Sequence, residues 1–256
     1  MARNKGTQEG DLAEIEFVQS FNRGHFSDFC NANFPNDVKP LAVRVSSHQF
    51  SETSKVFVKP KADAFLIISE DLRNRLIAQK YFIDESDLDS ESYTVIKDSG
   101  ISIKRPDATK YQIHKFTPHS FMTVLGDRYL GAGALIYINN STKQRENENI
   151  IEAWGISLNQ FCSHFAKLLK IDRMEIPNKF VEIQRYCLTN IKQQILADEN
   201  KLEIVFSGRG VFASPYFAAF TYVAGNLARL QFSDFLVTQG SNRTKNPTIV
   251  LKPQLS

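Results

Sequence analysis

The sequence predicts an α/β (α+β) fold in which a mixed central β-sheet is flanked by helices. Apolar residues recur at helical intervals in 12–22 and in several segments after residue 117. Shorter β-type runs lie at 56–68 and 101–105, and the last fifty residues are rich in aromatic, small and β-forming residues. With 256 residues, of which 42% are hydrophobic, the chain can bury a substantial core.

The composition narrows the classes of protein that the chain can represent. Its formal net charge is only +3, so any strongly basic surface must be local. The three cysteines are scattered without CxxC spacing, which favours reduced thiols over a structural zinc site. The N-terminus lacks an apolar secretory signal, and no apolar run approaches the ~20 residues of a membrane span. We therefore expect a soluble cytoplasmic protein with no membrane partner.

The first part of the chain alternates helix and strand patterns. Residues 12–22 form an amphipathic pattern that ends before Gly24, and 41–45 is a candidate strand. The stretch 56–68 alternates and then becomes continuously apolar, which predicts a strand entering a buried sheet, and 69–80 follows at helical spacing.

A hairpin is predicted next. Residues 93–97 and 101–105 are β-type runs that flank Asp98-Ser99-Gly100, a typical turn sequence. Lys104 would project from the second arm of this hairpin.

The second half of the sequence is mostly helical before it changes to strands. Helices are predicted over 117–126 and 156–170 and again after Pro177, and strand character returns at 202–206. The sequence contains no internal repeat and no low-complexity segment.

Asp63 is the first candidate for chemistry. It stands between Ala62 and an apolar run, where an ionised carboxylate is costly unless a cation or hydrogen-bond donors compensate it. A bound metal would supply that compensation. The structural alternative is an edge-strand aspartate that pairs with Lys59 or Lys61 in solvent.

Lys104 strengthens the case because of its position in its strand. Ser102 and Lys104 share one face, with Ile101 and Ile103 on the other, so the amine can lie beside Asp63 if the two runs pair. An acid and a lysine on adjacent strands are what a metal-dependent phosphodiester hydrolase needs, since the reaction sets a divalent cation against a phosphate beside the attacking water.

A second carboxylate is needed because two-point attachment holds Mg²⁺ weakly, and the position two residues before Lys104 is Ser102 and not an acid. On a helix that advances ~100° per residue, Glu14 lies on the side of Val18 and Phe21, whereas Glu16 points almost the opposite way. Glu14 is therefore the first candidate and Glu16 the second. The alternative for Glu14 is a helix-face glutamate that reaches past its neighbours to solvent.

These residues resemble the PD-(D/E)xK nuclease superfamily and, within it, the type II restriction endonucleases of bacteria, over residues 10 to 125. Three motifs carry the resemblance: Gly10-x-x-x-Glu14-x-x-Phe17-Val18-x-x-x-Asn22 for the N-terminal helix, Pro60-Lys61-Ala62-Asp63 for the first metal-binding acid, and Gly100-Ile101-Ser102-Ile103-Lys104 for the lysine strand. Gln112 stands where many members keep a polar residue. The sequence departs from the family pattern at Ala62, which replaces a proline, at Ser102, which replaces an acid, and in the long gap between Asp63 and Lys104.

The resemblance implies a restriction-endonuclease-like catalytic core in 1–135 and a helical and β-rich DNA-recognition region in 136–256, either packed on the core or continuous with it. It also implies a metal site in which Asp63, Glu14 and the main-chain carbonyl of Ile103 bind Mg²⁺ as cofactor. Lys104 would be the chemical residue, with Ser102 and Gln112 completing the catalytic set. A bacterial or archaeal cytoplasm is the implied location, and a homodimer on a palindrome and a monomer that nicks sequentially are both open.

Candidates for DNA contacts concentrate in the tail. From residue 208 onward the chain carries five basic residues against the single acid Asp234. Arg and Asn bond guanine and adenine edges in the major groove, so the candidates for base contacts are Arg209, Asn242, Arg243 and Asn246. Lys245 is a candidate for a phosphate contact. Outside the tail, Lys61 and Arg105 are candidates because they lie beside the strands of the predicted site. The alternative for each is a solvated basic loop.

Two further acid patterns compete with this arrangement. Pro106-Asp107 reads as a turn after the lysine strand, and Glu199-Asn200-Lys201 reads as the polar end of a helix.

From the motifs and the resemblance we expect a type II restriction endonuclease that hydrolyses double-stranded DNA at a short specific sequence with Mg²⁺. The alternatives are a repair or structure-selective nuclease with the same core, a non-catalytic DNA-binding protein with a degenerate core, and a protein-interaction module.

Overall fold

A computed structural model describes residues 5–46, 49–50, 57–58, 60–89, 91–105, 111–138 and 143–254. The helices of these residues are α1 Lys5–Asn22, α2 Ser27–Asn33, α3 Glu70–Arg75, α4 Pro118–Leu125, α5 Arg128–Leu135, α6 Gln144–Ala153, α7 Leu158–Leu169, α8 Phe180–Leu196 and α9 Glu199–Phe206. The strands are β1 Leu41–Arg44, β2 Gln49–Phe50, β3 Phe57–Val58, β4 Ala64–Ile68, β5 Thr94–Val95, β6 Ile101–Ile103, β7 His114–Phe116, β8 Phe220–Val223, β9 Asn226–Arg229, β10 Phe235–Gln239 and β11 Ile249–Pro253. Short 3-10 helices span Glu85–Leu88 and Arg173–Lys179.

The chain forms two compact units. Unit 1 contains Met1–Thr109 and Phe206–Gln231, and unit 2 contains Lys110–Val205 and Phe232–Ser256. The predicted boundary between residues 135 and 136 falls inside unit 2. The chain returns to unit 1 because β8 pairs in parallel with β6, with Ile101 opposite Phe220.

Unit 1 contains the predicted mixed sheet. Its strand order is β1-β4-β6-β8-β9, with β5 also paired to β4. The β6–β8 pair is parallel and the other pairs are antiparallel. The mixed α/β class, with helices packed against a mixed sheet, is therefore confirmed.

The central strand β4 is continuously apolar because both of its faces are covered. Ala64 and Leu66 join the cluster that includes Phe17 and Val18 of α1, whereas the alternate residue Phe65 joins a second cluster on the opposite face. Side chains alternate across a strand, so a strand buried on both sides has no polar face. Asp63 directly precedes β4, so its main chain is held at the centre of the sheet.

The predicted hairpin between 93–97 and 101–105 is wrong, because β5 and β6 both pair with β4. Ser99 explains how the chain continues along the same neighbour. Its buried hydroxyl accepts a hydrogen bond from the Leu66 amide at 3.0 Å and lies 3.3 Å from the Leu66 carbonyl oxygen, to which it donates. The serine side chain thus supplies the acceptor for the Leu66 amide, whereas the Leu66 carbonyl also accepts from the Ile96 amide at 2.9 Å.

We expect Ser99→Ala to lower the free energy of unfolding by about 1–3 kcal/mol, because the buried Leu66 amide loses its acceptor. Urea unfolding measures the loss, and Ser92→Ala, at an exposed position, is the control. A Ser99→Ala protein as stable as the parent would show that the hydroxyl is dispensable.

The strand predicted at 202–206 is also wrong, since these residues lie in α9. The side chain of Asp198 accepts hydrogen bonds from the amides of Asn200 and Lys201, and such a cap starts a helix despite the β-forming residues that follow. The Glu199-Asn200-Lys201 pattern therefore begins a helix rather than ending one. Its lysine lies 3.4 Å from Asp198 in an ion pair. The other competing pattern, Pro106-Asp107, lies outside the described residues.

Unit 2 combines helices with a three-stranded antiparallel sheet of order β10-β11-β7. The helices predicted over 117–126 and 156–170 and after Pro177 are confirmed as α4, α7 and α8. No helix in the described part of the chain is long and apolar enough to cross a membrane.

Candidate active site

Asp63 and Lys104 are brought together by the pairing of β4 with β6. Ala64 lies opposite Ile101, and the Asp63 amide donates to the Ile101 carbonyl at 2.8 Å. The pairing on which the sequence assignment depended is therefore confirmed.

A short polar relay connects the carboxylate to the lysine. The Ile103 amide donates to Asp63 Oδ2 at 2.7 Å, and the Ser102 hydroxyl donates to the same oxygen at 3.4 Å. Lys104 Nζ in turn donates to Ser102 Oγ at 2.7 Å. These donors compensate the charge of a carboxylate at the edge of an apolar core. We call Asp63, Ser102 and Lys104 the relay.

Lys61 adds a second amine beside the relay. The residue retains some exposed surface, but its ammonium is enclosed by protein. Burial and the charge of Lys104 lower the pKa of Lys61 to about 7, and Asp63 opposes this shift. Gly208 makes room for the side chain, because a Cβ at that position would lie 2.6 Å from Lys61 Cγ.

The shifted pKa of Lys61 predicts how stability depends on pH. Since the neutral amine is favoured in the folded state, the unfolded chain binds one more proton than the folded chain between about pH 7 and pH 10.5. The free energy of unfolding therefore rises as pH increases from about 7 to 10.5. Below about pH 7 the folded protein bears the full cost of burying the Lys61 charge.

We expect Lys61→Met to be more stable than the parent below about pH 7 and to lose this advantage as pH rises toward 10.5. Urea unfolding in EDTA at a slightly acidic and an alkaline pH measures the difference, and Lys97→Met, at an exposed site, is the control. A stability difference that does not change with pH would contradict the assignment.

Glu14 faces the same region from α1. Its Oε2 accepts a hydrogen bond from Arg44 Nε at 2.8 Å and forms an ion pair with Arg44 Nη2 at 2.8 Å. Arg44 Nη2 also donates to Asp11 Oδ1 at 3.1 Å. Burial and the charge of Asp63 raise the pKa of Glu14, while Arg44 acts in the opposite direction. Glu14 and Asp63 are therefore close enough to repel each other. The second candidate, Glu16, is exposed, as its helical position predicted.

The donor chemistry fits a divalent cation. Two carboxylates that repel each other at a partly buried site gain when a cation lies between them, and oxygen donors are the ligands that Mg²⁺ prefers. Within the described residues, Oε1 of Glu14 accepts no hydrogen bond. Those residues contain no group of three or more His, Cys, Asp and Glu side chains that could hold a metal.

The predicted catalytic residue Gln112 belongs to unit 2, where it is exposed just before β7. The relay, Lys61 and Glu14 all belong to unit 1.

The predicted DNA contacts are divided between the units. In unit 1, Arg105 forms an ion pair with Glu9, and Arg209 lies 4.1 Å from the Phe217 ring centroid and 3.8 Å from Asp98. In unit 2, the candidates lie in the loop between β10 and β11; Asn242, Lys245 and Asn246 are exposed and Arg243 is half-buried.

Arg44 is the residue of the candidate site that the sequence analysis missed. Arg44 ends the apolar run 41–44, and arginine is rarely buried without a partner. Its position therefore indicates that an acid lies nearby. The sequence does not reveal that this acid is Glu14, thirty residues away.

Comparison of the chain with protein-family models, with curated proteins and with solved structures finds no match. Membership of the nuclease superfamily therefore stays a prediction from the motifs.

Proposed function

We propose that unit 1 is the catalytic core of a Mg²⁺-dependent endonuclease, of the type II restriction kind, that hydrolyses phosphodiester bonds of double-stranded DNA. The observation that carries the proposal is the relay, in which Lys104 Nζ lies 2.7 Å from Ser102 Oγ and Ser102 Oγ lies 3.4 Å from Asp63 Oδ2. A carboxylate and an ammonium held this close on adjacent strands can engage the same phosphate from two sides.

Each residue has a role that follows from its contacts. Asp63, fixed by the Ile103 amide, would hold the metal together with Glu14, and the Ile103 carbonyl is the proposed third ligand. When bound, Mg²⁺ supplies charge neutralisation at the scissile phosphate and a lowered pKa for an attacking water.

Lys104 would stabilise the charge that develops on the phosphate and orient the water. Ser102 holds its amine by accepting a hydrogen bond, which restricts the long lysine side chain to one position. The enclosed ammonium of Lys61 adds positive charge at the same centre below about pH 7.

A non-catalytic DNA-binding protein with a degenerate core is the second candidate, and the ion pair between Glu14 and Arg44 favours it. If this pair is permanent, Glu14 serves to anchor α1 on β1, and Asp63 is left as the one carboxylate that the described residues place at the centre. The two candidates differ in whether Glu14 affects the need for magnesium.

For the endonuclease, we expect Glu14→Gln to raise the Mg²⁺ concentration for half-maximal cleavage by about 10-fold or more, because a ligand is lost. The cleavage rate of plasmid DNA against Mg²⁺ concentration measures this shift. Glu16→Gln, the exposed neighbour on the same helix, should behave as the parent. An unchanged Mg²⁺ requirement in Glu14→Gln would remove Glu14 from the metal site.

Incubation of the purified protein with plasmid or phage DNA tests the function itself. We expect discrete fragments with Mg²⁺ and none with EDTA. A smear, or cutting limited to branched or single-stranded DNA, would indicate a repair or structure-selective nuclease. Binding without cutting would indicate the non-catalytic protein.

A further inference from the structure

Two cations in unit 2 share one aromatic ring. Arg243 Cζ lies 3.3 Å from the centroid of the Tyr137 ring, and Lys143 Nζ lies 4.3 Å from the same centroid. We call these three residues the cation cluster. Cation–π attraction holds each charge to the ring face, but it does not neutralise either charge.

A buried side chain fixes the main chain of Tyr137. Asn147 is 1% exposed; its Oδ1 accepts from the Tyr137 amide at 2.6 Å, and its Nδ2 donates to the Tyr137 carbonyl at 3.3 Å. The Tyr137 hydroxyl lies 3.3 Å from Thr244 Oγ1, which ties the ring to the loop that carries Arg243.

The loop itself has a constrained base. The Gly240 amide donates to the Thr248 carbonyl at 2.8 Å, and a Cβ at Gly240 would lie 2.1 Å from Thr248 Oγ1, so this close approach requires glycine. The Asn246 amide closes the tip by donating to the Asn242 carbonyl at 2.8 Å. The position of Arg243 is thus set before any ligand binds, which reduces the ordering cost of binding.

The cluster carries net positive charge because, among the described residues, one acid lies beside its two cations. Lys143 pairs with Glu146 at 3.5 Å, but both side chains are about two-fifths exposed, and such pairs contribute little. Arg243 forms no ion pair with any residue that the structure describes. The contact of the Tyr137 hydroxyl with Thr244 and the neighbouring Arg243 guanidinium both lower the pKa of the Tyr137 phenol, and the charge of Lys143 adds to this effect, as expected at a site of positive potential.

We propose that the cation cluster binds phosphate groups of the DNA backbone; this deepens the proposed function and rests on it. A guanidinium that stacks on a ring still presents its in-plane N–H groups, whose fork geometry matches phosphate oxygens. Lys143 supplies a second charge, and exposed Lys245 lies two residues beyond Arg243. Arg243 is therefore assigned to positioning the duplex and not to reading a base edge, because its side chain is committed to the ring.

Binding of a short random-sequence duplex in EDTA tests the site. The dissociation constant is measured by fluorescence anisotropy over a series of NaCl concentrations for the parent, for the double variant R243Q/K143M, and for K167M. Lys167 is exposed on α7 of the same unit and serves as the matched control for loss of one charge. Unfolding midpoints establish that the variants fold.

We expect the double variant to bind at least about 10-fold more weakly than the parent. Its slope of log K against log salt should be shallower by close to ~1.8, since each phosphate contact contributes about 0.9. The slope for K167M should match that of the parent.

The outcomes separate this inference from the proposed function. A folded double variant with the parental salt slope overturns the site even if the parent cuts DNA. The expected slope in a protein that never cuts supports the site and overturns the nuclease. A parent without affinity for DNA overturns both.

Discussion

Replacing Asp63 with asparagine is expected to lower the cleavage rate by about 10³-fold or more. The change keeps an oxygen to accept from the Ile103 amide but removes the negative charge that would hold the metal. Metal ions contribute several kcal/mol of transition-state stabilisation, and each 1.36 kcal/mol corresponds to about 10-fold in rate.

The Asp63→Asn protein should fold and bind DNA as the parent does, because its hydrogen bonds have the same geometry. Single-turnover cleavage in saturating Mg²⁺ measures the rate, and Asp71→Asn, an exposed aspartate on α3, controls for the loss of one carboxylate. Parental cleavage by Asp63→Asn would refute the metal site.

Replacing Lys104 with methionine is expected to slow cleavage by about 10²–10³-fold, the usual loss when a group that stabilises transition-state charge is removed. The stem of methionine preserves most of the packing, whereas the donor to Ser102 Oγ is lost. The Mg²⁺ concentration for half-maximal cleavage should stay near the parental value, because the lysine is not a ligand.

This combination distinguishes Lys104 from Glu14, for which the Mg²⁺ requirement should rise. Lys97→Met, at an exposed position in unit 1, is the matched control. A Lys104→Met protein that cuts at the parental rate, or whose defect disappears at high Mg²⁺, would exclude the proposed chemical role.

The sequence predicted the centre of the fold because the signals there are local and strong. The continuous apolar run of β4 requires cover on both faces. The strand that pairs with it, β6, is close to β4 in the sequence. Helical geometry alone predicted the orientation of Glu14. The structure agrees, because Glu14 contacts Arg44 of β1 whereas Glu16 is exposed.

The missed features depend on contacts that have no local pattern. The Ser99 hydroxyl substitutes for a main-chain partner, so 94–103 runs along β4 as an interrupted strand instead of forming a hairpin. The β6–β8 pair joins residues more than a hundred positions apart, and a parallel pair leaves no turn signature in the sequence. The helix α9 was hidden because its cap at Asp198 outweighs the β-forming residues after it.

The most direct test of the central claim is single-turnover cleavage of plasmid DNA in Mg²⁺ by four proteins: the parent, Asp63→Asn, Lys104→Met and the double variant D63N/K104M. If the relay acts as a unit, the parent cuts only with Mg²⁺, each single variant is strongly impaired, and the double variant loses little more than the worse single variant. Losses that multiply, or a parent that cuts equally well in EDTA, would contradict a shared catalytic centre at Asp63 and Lys104.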